Sequence, residues 1–300
     1  MLSPYYNTSV ISVPTINDDI DDFQTLFALY SKVMSSDASH IIFNFDHCKF
    51  LKPNACAFLG GMLRLLKRKM INTVIMWDTL RPEIMATLRQ NTFCQQFGSL
   101  GSFYQGHAIP YREDPKQDMN SIIDYLTLNW IGRGWVRVSE PLRDEIAGKV
   151  WEIYANCFEH SASPIGVFSC GQHYHKKNEL VLSVVDFGVG IPFNVRQFLS
   201  MGNPRATKIT DEKCLEWACV GGHTTAANEG VARGLGLDLL KDFVRVNKGK
   251  LELYTHSAYA KFDENGEHYM TLPFSFRGTI LNITLLCDEK FYRLTSESGN

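Results

Sequence analysis

The chain has 300 residues, 45% of them hydrophobic and 21% charged, with a formal net charge of -2. That length accommodates one large or two ordinary domains around a real core, and the near-neutral balance excludes a general attraction to nucleic acid or anionic lipid. No apolar run reaches the length of a membrane span, and "MLSPYYNTSV" has neither a basic start nor an apolar signal core, so a cytoplasmic protein is expected.

The first hundred residues alternate strand and helix patterns. "HIIFNFD" (40–46) is a short apolar strand, and "NACAFLGGMLRLLKRK" (54–69) has helical spacing with Phe58, Met62, Leu65 and Leu66 on one side. Its basic end suits the negative pole of a helix. "NTVIMWD" (72–78) is a second strand, and "RPEIMATLRQN" (81–91) a second helix with Pro82 in its first turn. A small sheet with helices packed on it follows from this order. The stretch from Gly98 to Asp118 is rich in Gly, Pro, Ser and charge, which divides the chain into residues 1–98, a linker over 99–118 and a second domain over 119–300.

In that second part, helices are expected from Met119 to Trp130 and from about Leu142 to His160. Ser139 and Pro141 start the latter, and Ser161 to Pro164 stop it. The strands "GVFSCGQHYH" and "ELVLSVVDF" follow, parted by "KKN". A less periodic stretch runs from Pro192 to about Ala232, then a helix "GLGLDLLKDFVRV" that ends at Asn247 and Gly249. Three closing strands are expected, "KLELYTH", "HYMTL" and "GTILNITLLC", with a tight turn at Asn265-Gly266.

Eight cysteines occur without a CxxC pair, which reads as reduced, mostly buried thiols. Two groups, Cys170 with His173 and His175, and Cys214 with Cys219 and His223, have ligand types for zinc but no familiar spacing. Incidental histidines at a strand end or loop are the plainer account.

Three other features carry chemistry. Glu152, Asn156 and His160 recur every fourth residue on the long helix, so they share a face while Ile146, Val150, Ile153, Tyr154 and Cys157 take the other. A solvated polar face accounts for such a stripe in most helices. "SVVDFGVGIP" runs a β-branched strand into Asp186, Gly188 and Gly190, where glycines let backbone approach a ligand or simply make a turn. "ARGLGLDLL" opens a helix on Gly234 and Gly236, which is either a phosphate-binding helix start or a hinge. No GxxxxGK[ST] exists, and the glycines lack the strand–GxGxxG–helix context of a dinucleotide fold.

Taken together and in order, "EIYANCFEH", "DFGVG", "GLGL" and the late "RGTILNITLL" resemble the N, G1 and G2 boxes and final strand of the GHKL superfamily of ATPases. The resemblance covers about Met119 to Cys287. It implies a two-layer α/β sandwich of the Bergerat type, a mixed, largely antiparallel sheet with helices on one face. It also implies an ATP lid over about 192–233 and the cofactors ATP and Mg²⁺. By that resemblance Asn156 holds Mg²⁺, and Glu152 is the base that orients water or an acceptor hydroxyl. Asp186 accepts from the adenine amine, with Gly188, Gly190 and Thr279 around the base. Gly234, Leu235 and Gly236 offer amides to the phosphates, with Arg233 and His160 as phosphate neighbours. The segment from about Val10 to Phe97 resembles a STAS domain, although "KPNACA" (52–57) has no hydroxyl where that family offers a phosphorylatable serine. These likenesses imply an ATP-dependent switch or regulator with slow hydrolysis or phosphoryl transfer to Ser or Thr of a partner protein. That partner would be of the sigma-factor or signalling-regulator type, with a homodimer left open. A non-catalytic interaction module of the same two folds is the alternative.

Overall fold

The computed structural model describes residues 7–17, 19–98, 106–220 and 237–298. The first elements are β1 (Thr8–Ser12), α1 (Ile20–Met34), β2 (His40–Asn44), α2 (Pro53–Arg68), β3 (Asn72–Ile75), α3 (Pro82–Gln90) and α4 (Phe93–Phe97). Strands β1, β2 and β3 form a parallel three-stranded sheet in that order. Both expected strands and both expected helices are present, and β1, α1 and α4 are added to them. The capped start of α1, where the Asp19 carboxylate accepts the Asp22 amide at 2.9 Å, sits in "NDDIDDF", whose acidic run hides a helix start.

The larger unit is built on β4 (Ala108–Asp114), α5 (Met119–Tyr125), β5 (Arg137–Val138), α6 (Glu140–His160), β6 (Val167–Tyr174), β7 (Glu179–Asp186), α7 (Ile191–Ser200), α8 (Asp211–Cys219), α9 (Asp238–Asn247), β8 (Lys250–Asp263), β9 (Gly266–Leu286) and β10 (Phe291–Tyr292). A five-stranded sheet runs β4-β6-β7-β9-β8, and each neighbouring pair is antiparallel. The sheet is thus wholly antiparallel where a mixed one was expected. Residues 108–114, expected in a linker, are its edge strand. "HYMTL" and "GTILNITLLC" are one strand, β9, because two bulges near His256 bend β8 so that it stays paired along its length. The tight turn falls at Glu264 and Asn265, with Gly266 at φ +114° opening β9.

Alternation along the strands feeds two cores. Leu180, Leu182 and Val184 of β7 face a core shared with α5, α6 and α9, through residues such as Ile122, Ile146, Val150, Tyr154, Leu240 and Val244. Val185, Phe168, Tyr254, Phe276 and Ile280 face the opposite way, into a core shared with Phe23 and Phe27 of α1 and Phe58 and Met62 of α2. Helices therefore cover both faces of the sheet, not one. The cause lies in α2. A Cβ on Gly61 would stand 2.1 Å from the Phe187 ring, and one on Gly60 would stand 2.1 Å from the Tyr111 hydroxyl. Two glycines in succession let this helix lie directly on the sheet. No helix among the described residues is long and apolar enough to cross a membrane.

Candidate functional site

Helix α6 begins on Ser139, whose hydroxyl accepts the Leu142 amide at 3.3 Å, with Pro141 in the first turn. It buries Leu142, Ile146, Ala147, Val150, Ile153 and Tyr154, and this face fixes its rotation on the sheet. Asn156 and His160 are then carried to the rim of a cleft. At its last turn the helix meets the end of β7. The Val189 amide donates to the Ser161 carbonyl at 2.6 Å, and a Cβ on Gly188 would come within 2.0 Å of that same oxygen. Gly188 is thus required by close approach of two backbones.

Asp186, 1% exposed, ends β7 opposite Thr279 of β9. Its carboxylate accepts the Gly188 amide at 2.8 Å and faces the Cys157 thiol and the hydroxyls of Thr279 and Ser161. Burial pushes the acid up from 3.8 to about 6, and these donors pull it partly back. Burial, with the Asp186 charge beside it, holds the Cys157 thiol well above its ordinary range.

A cavity of about 100 Å³ opens at this point, walled by Ile153, Ile191, Val195, Leu237, Leu253 and Leu281. A void of ~150 Å³ takes one benzene ring, and this space is about two-thirds of that. Its polar lining is Asn156, Cys157, His160, Ser161, Asp186, Asn194 and Thr279, together with the Gly190 backbone. Of the expected site residues, Asn156, His160, Asp186, Gly190 and Thr279 meet here, and Gly188 lies directly behind Asp186. Glu152 is not among the lining residues. It sits one turn back on α6, ion-paired to Lys149 at 2.7 Å with 43% of its side chain exposed. Arg233, Gly234, Leu235 and Gly236 lie outside the described residues.

The segment expected as a lid is folded in its first part. Helices α7 and α8 pack through Val195, Cys214 and Ala218, and the Arg196 guanidinium pairs with Asp211 at 2.5 Å. Asp211 also accepts the Ser257 amide at 3.1 Å and its hydroxyl at 2.6 Å, which ties α8 to the β8 bulge. Hydrogen bonds with Ser257 and Arg196 hold this carboxyl below its usual range, although partial burial works the other way. The glycine turn is gripped from the same bulge. Thr255 accepts the Ile191 amide at 3.1 Å, and His256 Nε2 donates to the Val189 carbonyl at 2.7 Å. Gly190 has φ +75°, and a Cβ there would stand 2.6 Å from the His256 ring.

Sequence reasoning missed Ser161, Cys157, Asn194, Thr255 and His256. Ser161 was read only as a helix stop and Cys157 as a core thiol. Their role depends on α6 ending against β7, which no local pattern announces. Among the described residues no group of three or more His, Cys, Asp or Glu is arranged to hold a metal ion. Cys170 is buried toward Asn91, whose side-chain amide donates to its sulfur at 3.5 Å, on the opposite strand face from His173. Neither a protein-family model nor a curated protein matches the sequence.

Proposed function

We propose that this pocket binds the base of an adenine nucleotide carrying Mg²⁺, and that the protein is a GHKL-type, ATP-dependent regulator. One observation carries the reading: Asp186 and Asn156, 30 positions apart in sequence, line the same apolar-walled cavity. A buried carboxylate beside a hydroxyl and a backbone turn suits a flat heterocycle with an exocyclic amine, which donates to the acid while the leucine and isoleucine walls cover the ring. The Asn156 carboxamide at the rim supplies one hard oxygen. A single such ligand fits magnesium that arrives with phosphates and water better than a resident ion. His160, at the helix end beside it, is positioned for the polyphosphate side. When bound, Mg·ATP would supply an electrophilic γ-phosphoryl group. Glu152 would orient the attacking water or hydroxyl only after leaving its pairing with Lys149.

The three-stranded unit before β4 is read as the STAS-like regulatory partner. Its α2 start, "KPNACA", carries no phosphate acceptor, so its part is to relay the state of the pocket through the shared core. The Lys149–Glu152 pair favours a second reading, a nucleotide-binding module without turnover.

Calorimetry with Mg·ATP tests the proposal. Saturable binding is expected, lost in Asp186→Ala and retained in Glu152→Ala. Equal loss in both variants contradicts the assigned roles. Labelled ATP then separates the outcomes: release of phosphate to water marks an ATPase, a labelled partner marks a kinase, and neither marks the binding module.

A further inference from the structure

Away from the pocket, three imidazoles gather where the edge strand meets its neighbour. His107 directly precedes β4, and the register that places Ala108 opposite Gln172 makes His107 and His173 cross-strand partners. The His173 amide donates to the His107 carbonyl at 2.8 Å, so the backbone fixes the pair. Their Nδ1 atoms lie 3.0 Å apart. His175 stacks on His107 with centroids 5.2 Å apart, and Trp135 stacks on His173 at 4.6 Å and 20°. Behind the indole, Arg133 lies 4.6 Å from its centroid and donates to the Gly106 carbonyl at 3.0 Å. Burial and the two neighbouring histidines hold the His173 imidazole below its ordinary value.

We propose that His107 and His173 chelate one divalent transition metal through their Nδ1 atoms, Cu²⁺ in preference to Ni²⁺ and Zn²⁺, stapling β4 to β6. Neutral imidazole is the donor these ions favour, and Cu²⁺ heads their affinity order. With bonds of ~2.0 Å, neighbouring corners of a square plane stand ~2.8 Å apart and those of a tetrahedron ~3.3 Å. The 3.0 Å separation of the hydrogen-bonded pair is within reach of both, so the preference for Cu²⁺ rests on that affinity order. In the metal-free pair one Nδ1–H donates to the other Nδ1. Chelation moves that proton to Nε2 and turns the rings so that both Nδ1 lone pairs converge on one ion, with no net change in protonation. Among the described residues no carboxylate joins the cluster, so it lacks the oxygen donors that Mg²⁺ and Ca²⁺ require. This site is therefore independent of Asn156 and of any nucleotide.

The test uses the full chain at neutral pH with Cu²⁺ buffered by glycine, followed by tryptophan fluorescence and thermal melting. Expected are one saturable equivalent, quenching that disappears in Trp135→Phe, and a rise in melting temperature. His107→Ala and His173→Ala should each weaken binding by about tenfold or more, while Mg²⁺ leaves both signals unchanged. Undiminished Cu²⁺ affinity in His107→Ala overturns the proposal, as does quenching that survives Trp135→Phe. Should His173→Ala fail to fold, His107→Asn at the exposed position decides the matter.

Discussion

At Asp186 burial disfavours the charge that the surrounding hydrogen-bond donors favour. With the native acid near 6 and the unfolded one near 3.8, the native state holds the extra proton between those values. The contribution is fully present below about pH 4 and lost as pH rises through about 6, a swing of roughly 3 kcal/mol. Asp186→Asn removes the charge and keeps an oxygen for the Gly188 amide. Urea unfolding should therefore show the variant gaining on the parent by about that amount between pH 4 and pH 7.5. A stability difference that stays flat with pH would contradict the burial argument. A second residue in the same neighbourhood is Gly278, at φ +146° with its missing Cβ 2.2 Å from the Asp186 carbonyl. Gly278→Ala should cost about 3 kcal/mol or more. At Gly266, φ +114° with open space around it, the same change should cost about 1 kcal/mol. Parallel denaturant melts of the two variants check the contrast.

Among the elements, α6 and α2 do opposite jobs on opposite faces of one sheet. The start of α6 is remote from the cleft, and Ser139 also donates to Glu297 at 2.7 Å. Ser139→Ala should lower stability by about 1 kcal/mol without altering ligand affinity, which a melt and a titration on one sample would show. Helix α2 depends on having no side chain at Gly61. Gly61→Val should push it off Phe187 and Phe168 and cost about 3 kcal/mol, read by loss of near-ultraviolet dichroism from the aromatic cluster before global unfolding. Phe58, Phe187 and Phe276 lie within 5.2 to 5.7 Å of one another in that cluster, so a shift of one helix disturbs all three.

For the whole molecule, the shared core bears on independence of the two halves. Phe168, Val185, Phe187, Tyr254 and Phe276 of the sheet are covered by α1 and α2. A fragment beginning at residue 106 would expose this face, so it should aggregate or bind a hydrophobic dye, and the intact chain should unfold in one transition seen alike by fluorescence and far-ultraviolet dichroism. Two separated transitions would show that the halves are energetically independent. The same covering explains how a change in the α6 cleft could reach the first hundred residues. β7 carries Val184 toward one core and Val185 toward the other, so a shift at its Asp186 end is felt on both faces.

Local patterns in the sequence determined much of this. The polar stripe of α6, its Ser139 cap, the acid-and-glycine end of β7 and the runs of β6, β7, α2 and α3 are legible because helix and strand periods act over a few neighbouring residues. Tertiary structure alone decided the rest. The edge strand β4 looked like a linker, since Gly, Pro and charge say nothing of partners 53 to 64 positions later in β6. β9 looked like two strands because its continuity depends on bulges in β8. Glu152 shares a helix face with Asn156, yet it lies one turn short of the cavity, and how far the cavity reaches along α6 is set by packing that periodicity cannot express. Which residues converge on Asp186 followed from where α6 stops against β7, and that is set by packing across the sheet.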